Sequence, residues 1–320
     1  MKIIFDTDPG VDDAMALLFA LRCPELDVIG VTTVFGNSNV EVTTRNALNL
    51  LDVAHRRDIP VAKGAGKPLI QPPHPTGEWV HGDDAMGSIG WTAINNPMMK
   101  PVDMSAAQFI VQQVMDHAGE PGAPLTLVPI GPLTNIALAL KIEPRIADHA
   151  RVVMMGGAVR EGGNVSPLAE ANIWNDPHAA SIVLSANWEV TMAGLDVTHA
   201  VRMNNDYFAT LNASGDPLAE FVVRVVRFYQ GFHEMRYGFK DGTVFTHDPT
   251  AIMYLIAPEL FKIERYSLCV PVDGPAVGAT IADRSGGRFY TTPKVNCLMG
   301  VDEPRFLQIY RERMTREEKL

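Results

Sequence analysis

Lys2-Ile3-Ile4-Phe5-Asp6-Thr7-Asp8-Pro9-Gly10-Val11-Asp12-Asp13 is the stretch from which the rest of the chain can be read: an apolar strand runs directly into four carboxylates within eight residues. Pro9-Gly10 turns the chain, and Ala14, Leu17, Leu18 and Leu21 then recur at helical spacing, so the segment predicts strand, tight turn and helix. Asp8 falls at the carboxyl end of the strand. Asp12 and Asp13 fall at the helix start, where the macrodipole favours negative charge, and either also fits a plain helix cap. Capping uses one oxygen, which leaves the other carboxylates without a partner. No basic residue stands between Lys2 and Arg22 to neutralise them, and gathered acids repel one another unless a cation or hydrogen-bond donors offset the charge. A hard cation with oxygen ligands, calcium or magnesium, fits.

Outward from this segment, short apolar strands alternate with amphipathic helices. Strands are expected at Lys2 to Asp6, Val28 to Val34, Ile59 to Ala62, Leu125 to Ile130, Val152 to Met155 and Val190 to Leu195, with helices between them. Such alternation predicts an α/β fold, Rossmann-like, in which a mainly parallel central sheet is flanked by helices on both faces and ligands sit at the carboxyl ends of the strands. The C-terminal part reads as helical over Leu218 to Tyr229 and Pro249 to Ala257. Small extra strands follow at Tyr266 to Val270 and Thr291 to Val295, and a terminal helix covers Pro304 to Met314. Residues 1–320 are expected to form a single domain. Gln71 to Pro101, rich in Pro, Gly and His without periodicity, reads as a long surface loop of the kind that often serves as a lid.

Composition narrows the partners. The 320 residues are 47% hydrophobic and 20% charged, enough to bury a large core. Lys plus Arg number 27 against 37 Asp plus Glu, a net charge of −10, which speaks against nucleic acid or an anionic membrane. No apolar run is long enough to span a bilayer, and Met1 is followed at once by a structural strand with no room for a signal peptide, so the cytoplasm is the expected location. Cys23, Cys269 and Cys297 are odd in number and widely spaced, and they read as core thiols rather than a disulfide framework or zinc site.

The predicted topology puts several polar groups on one rim. These are Asp8, Asp12 and Asp13 after the first strand, Asn37 after the second, the Gly131-Pro132-Leu133-Thr134-Asn135 turn after the fourth, and Asn164, Glu170 and Asn172 after the fifth. Gly156-Gly157 and Gly162-Gly163 match neither a dinucleotide fingerprint nor a Walker A loop. Amide and carboxylate groups in this number suit a ligand with many hydroxyls, such as a sugar, although each Asn alone fits a turn or cap. Thr246-His247-Asp248-Pro249 places a His and a carboxylate at a further helix start, where Asp248 is either a cap or one more oxygen ligand.

Taken in order, Asp6-Thr7-Asp8-Pro9-Gly10-x-Asp12-Asp13, Val31 to Asn37, Gly131 to Asn135, Met155-Gly156-Gly157, Ala169-Glu170-Ala171-Asn172 and His247-Asp248-Pro249 resemble the motif set of the inosine-uridine preferring nucleoside hydrolases over nearly the whole chain. The resemblance implies calcium-dependent hydrolysis of the N-glycosidic bond of ribonucleosides to ribose and free base, in nucleoside salvage, by a homodimer or homotetramer. It implies a calcium shell of Asp8, Asp13, the Ile130 carbonyl and Asp248, with Asp8 the base that deprotonates the calcium-bound water. Asp12, Asn37, Met155, Asn164, Glu170, Asn172 and Asp248 become substrate contacts, and His247, as acid, and His81 lie near the nucleobase. Ala171 departs from relatives that carry an aromatic there, and which of Trp79, Trp91, Tyr229, Tyr237 and Phe239 meet the base stays open.

The chemistry is consistent with such a site, because departure of a base builds positive charge on the ribose ring and a carboxylate-rich rim stabilises it. Two other classes compete. A haloacid-dehalogenase-like magnesium phosphatase would use Asp6 as nucleophile, but Gly10 stands where that family usually has Thr or Val and the Asn set would be idle. A non-catalytic nucleoside or ribose binding protein would keep the pocket, but it gains little from Asp8, Asp13 and Asp248 gathered around a metal and a water.

Overall fold

A computed structural model describes residues 1–91, 99–120 and 124–315. The opening segment folds as expected: β1 spans Lys2–Thr7, and after Pro9-Gly10 a helix runs Val11–Leu21. Ile3 and Phe5 face one apolar layer and Ile4 the other, so the strand is buried on both sides, as a parallel sheet covered by helices requires. Each such side chain, fully buried, is worth about 1.5–3 kcal/mol relative to exposure.

Strands β2 (Asp27–Thr33), β3 (Val61–Lys63), β4 (Leu125–Pro129), β5 (Ala150–Met155) and β6 (Val190–Ala193) pair in parallel around β1. The chain winds outward from β1 through β2 to β3, then returns to add β4, β5 and β6 on the other side. β1 and β4 are therefore the point where the winding reverses, and the crevice above their carboxyl ends is where such folds bind ligands. Asp8 and Ile130 stand at those two ends.

A two-stranded ribbon, β7 (Arg202–Met203) with β8 (Val244–Phe245), stands apart. The late strands extend the main sheet instead: β11 (Lys294–Val301) lies parallel to β6, β9 (Phe261–Cys269) antiparallel to β11, and β10 (Ile281–Ala282) antiparallel to β9. Both late strands differ from the expected Tyr266 to Val270 and Thr291 to Val295. β9 starts earlier because Phe261 to Ser267 all find ladder partners on β11, and β11 lies further on because Pro293 cannot donate to the ladder.

Gln71 to Pro101 is not simply a surface loop. It holds a short helix, Glu78–His81, and buries His81, Asp84, Met86 and Trp91, with the Asp84 carboxylate accepting from the backbone N–H of Met86, Ser88 and Trp91. Its residues 92–98 lie outside the described part. Cys23 and Cys297 are buried and Cys269 half-buried, and none is in a disulfide. No described helix is long and apolar enough to cross a membrane.

Candidate active site

Asp8 leaves β1 with its carboxylate between two backbones. A Cβ on Gly36 would come 2.1 Å from Oδ2, and one on Gly131 2.3 Å from Oδ1. Only glycine fits at either position, which is why both flanking turns carry one. Asn37 then braces two acids at once: its N–H donates to Asp8 Oδ2 at 2.7 Å and its Nδ2 to Asp13 Oδ2 at 2.9 Å. Asp13 also receives the Thr7 hydroxyl (2.5 Å) and the N–H groups of Asp8 (3.2 Å) and Gly10 (2.9 Å), so it caps its helix as well as facing the other acids.

Across the crevice, Pro249 follows Asp248 at the start of the helix Asp248–Ile256, which packs on Val11–Leu21. That packing brings Asp248 to Asp12 and Asp13, with a carboxylate oxygen from each lying within 4.8 Å of the others. Asp8 is not in this tightest group, but its charge is felt by Asp248. Asp12, expected among the sugar contacts, has a carboxylate oxygen in this group and also lines the cleft.

Burial far from water pushes Asp12 and Asp13 up to about 6, with Asp12's charge adding to the rise at Asp13. Burial, then the neighbouring acids, pushes Asp8 and Asp248 well above the carboxylate range. Protein donors alone do not offset these charges. Asp8 Oδ1 and Asp12 Oδ1 are buried without a hydrogen-bond partner, a costly state that a cation among the acids would relieve. The donor set is all oxygen, so the residues fit a hard divalent ion.

Beside the acids opens a cleft. Its floor and one wall include Asp12, Asn37, Ile130, Met155, Asn164, Glu170, Asn172, His247 and Asp248. Asn172 Nδ2 donates to the Ile130 carbonyl at 2.7 Å and the Met155 carbonyl at 3.2 Å, tying the ends of two strands together. Glu170 accepts from the N–H groups of Gly157, Asn172 and Ile173 and so caps the short helix Ala171–Asn175; burial pushes its carboxyl up to about 7. Asn164 Oδ1 accepts from the Ala171 N–H.

The rest of the lining is largely aromatic. Trp79 and Val80 come from Glu78–His81, and Tyr229, Phe232 and Tyr237 from the long helix Pro217–Tyr237. Trp79 meets Phe232 edge to face at 5.0 Å. Phe232 was not expected at the site, although 229, 232 and 237 share one helix face. Trp91 packs in the core and Phe239 joins Tyr237 and Phe245 behind the wall. His247 is buried with Nδ1 2.9 Å from the Thr198 hydroxyl, and burial together with the neighbouring His199, His233 and His81 holds it well below the usual histidine range. Nothing in the sequence pointed to Thr198.

Two expected residues sit elsewhere. His81 does not line the cleft; it lies beneath Asp12, its Nδ1 accepting the Val11 N–H at 3.2 Å and its ring stacked on Tyr229. Burial holds it down at about 4, so it is neutral. Asn135 is buried and bonds Asp6, the Thr33 carbonyl and the Ala65 N–H, a purely structural network. Asp6 is fully buried there, away from the cleft, which removes the nucleophile that a phosphatase reading requires.

The α/β sheet thus carries an acid cluster that fits a hard cation beside a cleft lined by polar and aromatic side chains, the arrangement of a small-molecule site at a switch point. A family model for inosine-uridine preferring nucleoside hydrolase matches residues 3–308. The chain is 38% identical over 321 residues to "Probable uridine nucleosidase 2" of Arabidopsis thaliana, covering 98% of this chain and 97% of that protein. It is 38% identical over 298 residues to the inosine-uridine preferring nucleoside hydrolase of Leishmania major, covering 92% and 90%. The solved structure of a plant nucleoside hydrolase superposes with a TM-score of 0.92 at 34% identity, covering 99% of both chains. The chain belongs to the inosine-uridine preferring nucleoside hydrolase family and is a nucleoside hydrolase.

Proposed function

We propose that the protein works as one catalytic unit that hydrolyses the N-glycosidic bond of ribonucleosides with a calcium ion in the acid cage. The observation that carries this reading is the meeting of Asp12, Asp13 and Asp248 within 4.8 Å, two of them lining a cleft that also bears Trp79, Tyr229, Phe232 and Tyr237. Asp8, Asp13, Asp248 and the Ile130 carbonyl would hold the ion, with Asp12 beside them. When bound, calcium supplies charge that gathers these oxygens, orients a ribose diol and eases deprotonation of water.

The chain's own groups divide the remaining work. Asp8, with Oδ1 free of protein donors, accepts the proton of the attacking water. Asn37, Asn164, Glu170 and Asn172 surround the sugar, and their dipoles and charge favour the positive character that develops on the ring. Their backbone ties hold these side chains still before substrate arrives. Trp79, Phe232, Tyr229 and Tyr237 stack on the base and exclude water from it. His247, held at Nδ1 by the Thr198 hydroxyl, would hand its proton to the departing base from the imidazolium form and return to the neutral ring that burial favours, a contribution of about 10²- to 10⁴-fold. His81 braces the start of Val11–Leu21 rather than meeting the base. Salvage, a cytoplasmic location and homodimeric or tetrameric assembly complete the reading on the strength of the family resemblance.

The test is a panel of uridine, cytidine, inosine, adenosine and guanosine, scored for free ribose with and without chelator, then with calcium restored. Release from several nucleosides, lost on chelation and recovered with calcium, is expected. Ribose release indifferent to chelator would remove the metal from the reaction.

A further inference from the structure

The segment from Gly157 to Glu170 leaves β5, brings Asn164 and Val165 to the cleft and returns at Glu170, yet it contains no helix or strand of its own. Hydrogen bonds from Gly163, Val165 and Ser166 to Pro167 and Ala169 shape its second half, while residues 157–161 are held from outside. The turn Leu195–Thr198, which follows β6, supplies most of that constraint. Asp196 Oδ2 accepts the Val159 N–H at 2.7 Å, and Oδ1 accepts those of Arg160 at 2.6 Å and Glu161 at 3.0 Å. The Leu195 N–H donates to the Gly157 carbonyl at 2.8 Å, and the Thr280 hydroxyl closes on both the N–H and the carbonyl of Ala158. Two residues beyond Asp196, Thr198 holds His247.

We propose that Asp196 is a positioning residue for the hydrolysis: through the main chain of Val159, Arg160 and Glu161 it sets where Asn164 meets the sugar, without touching substrate itself. The inference rests on the reading of the cleft as a ribonucleoside site. A carboxylate suits the task because its two oxygens accept three N–H groups with charge assistance. An Asn has one acceptor oxygen and turns its own N–H₂ towards at least one of those donors. The same four-residue turn also carries Thr198, so it keeps the sugar-side loop and the base-side His247 in one register.

Asp196→Asn is nearly isosteric, and Asp196→Ser serves if it folds poorly. In either variant, backbone hydrogen exchange over 157–170 should rise while β5 and β6 stay protected. KM for a ribonucleoside should rise about tenfold with kcat changed less than about threefold, the signature of lost substrate positioning. Asn164→Ala made in the Asp196→Asn background should cost less than it does alone, because both changes remove one function. Unchanged exchange at Val159, Arg160 and Glu161, or fully additive losses with Asn164→Ala, would overturn the proposal. A wild-type protein that releases no ribose from any nucleoside would break the reading of the cleft instead, and the exchange measurement would still decide the brace.

Discussion

The Thr198 hydroxyl lies 2.9 Å from Nδ1 of His247, and both residues are buried. The bond gives Nδ1 a fixed partner and so holds the buried imidazole ring in one orientation.

Thr198→Val keeps the shape and removes that bond. Turnover of uridine and inosine should fall about tenfold with KM nearly unchanged, a modest share of what general acid catalysis supplies. An aryl riboside whose leaving group needs no proton should be hydrolysed at the wild-type rate. Equal losses on both kinds of substrate would show that Thr198 acts on something other than the leaving group.

Asp12→Asn should change stability in opposite directions with and without metal. Burial pushes Asp12 up to about 6 and leaves its Oδ1 unpartnered, so its charge is a burden to the metal-free fold above that pH. In chelator at neutral pH the variant should melt higher than wild type, and in excess calcium lower, because the ion then loses one negative neighbour. Thermal melts of both proteins under both conditions check the crossing.

His233 predicts an acid limb of stability. Its Nε2 accepts the Phe245 N–H at 3.2 Å and its Nδ1 lies 3.0 Å from the Tyr229 carbonyl, so only the neutral ring fits, and burial holds it down at about 4. An unfolded histidine takes its proton near pH 6.5. Below that pH the unfolded chain binds a proton that the folded chain refuses, so this stability is present above about pH 6.5 and lost as the pH falls towards about 4. His233→Gln should flatten the decline of melting temperature across that window. A decline as steep as that of wild type would mean other groups carry it.

Phe232→Ala and Trp79→Ala each remove half of an edge-to-face pair on the aromatic wall. Each should raise KM about 5- to 20-fold for nucleosides while ribose inhibits as before, if the aromatic residues meet the base and the polar ones the sugar, as proposed. Inhibition constants for free ribose beside the KM values separate the two faces.

Much of this was legible in local sequence. The apolar run before Asp8, the helical spacing after it and the strand–helix alternation that follows suffice for the parallel sheet, and chain topology alone puts Asp8 and Ile130 on one rim. Recurrent glycines at 36 and 131 mark where the backbone closes on the Asp8 carboxylate, a local demand that residue type records. Three things depended on packing between distant segments. Asp248 joins Asp12 and Asp13 only because its helix lies against Val11–Leu21. His81 turned out to support Asp12 because its helix is pressed under Tyr229, and Thr198 meets His247 across a separation of 49 residues. Secondary structure and the acid-rich rim follow from steric and periodic rules acting over a few residues. Which acids come together, and which histidine reaches the cleft, depends on how buried surfaces fit together, and that is a property of the whole packed core.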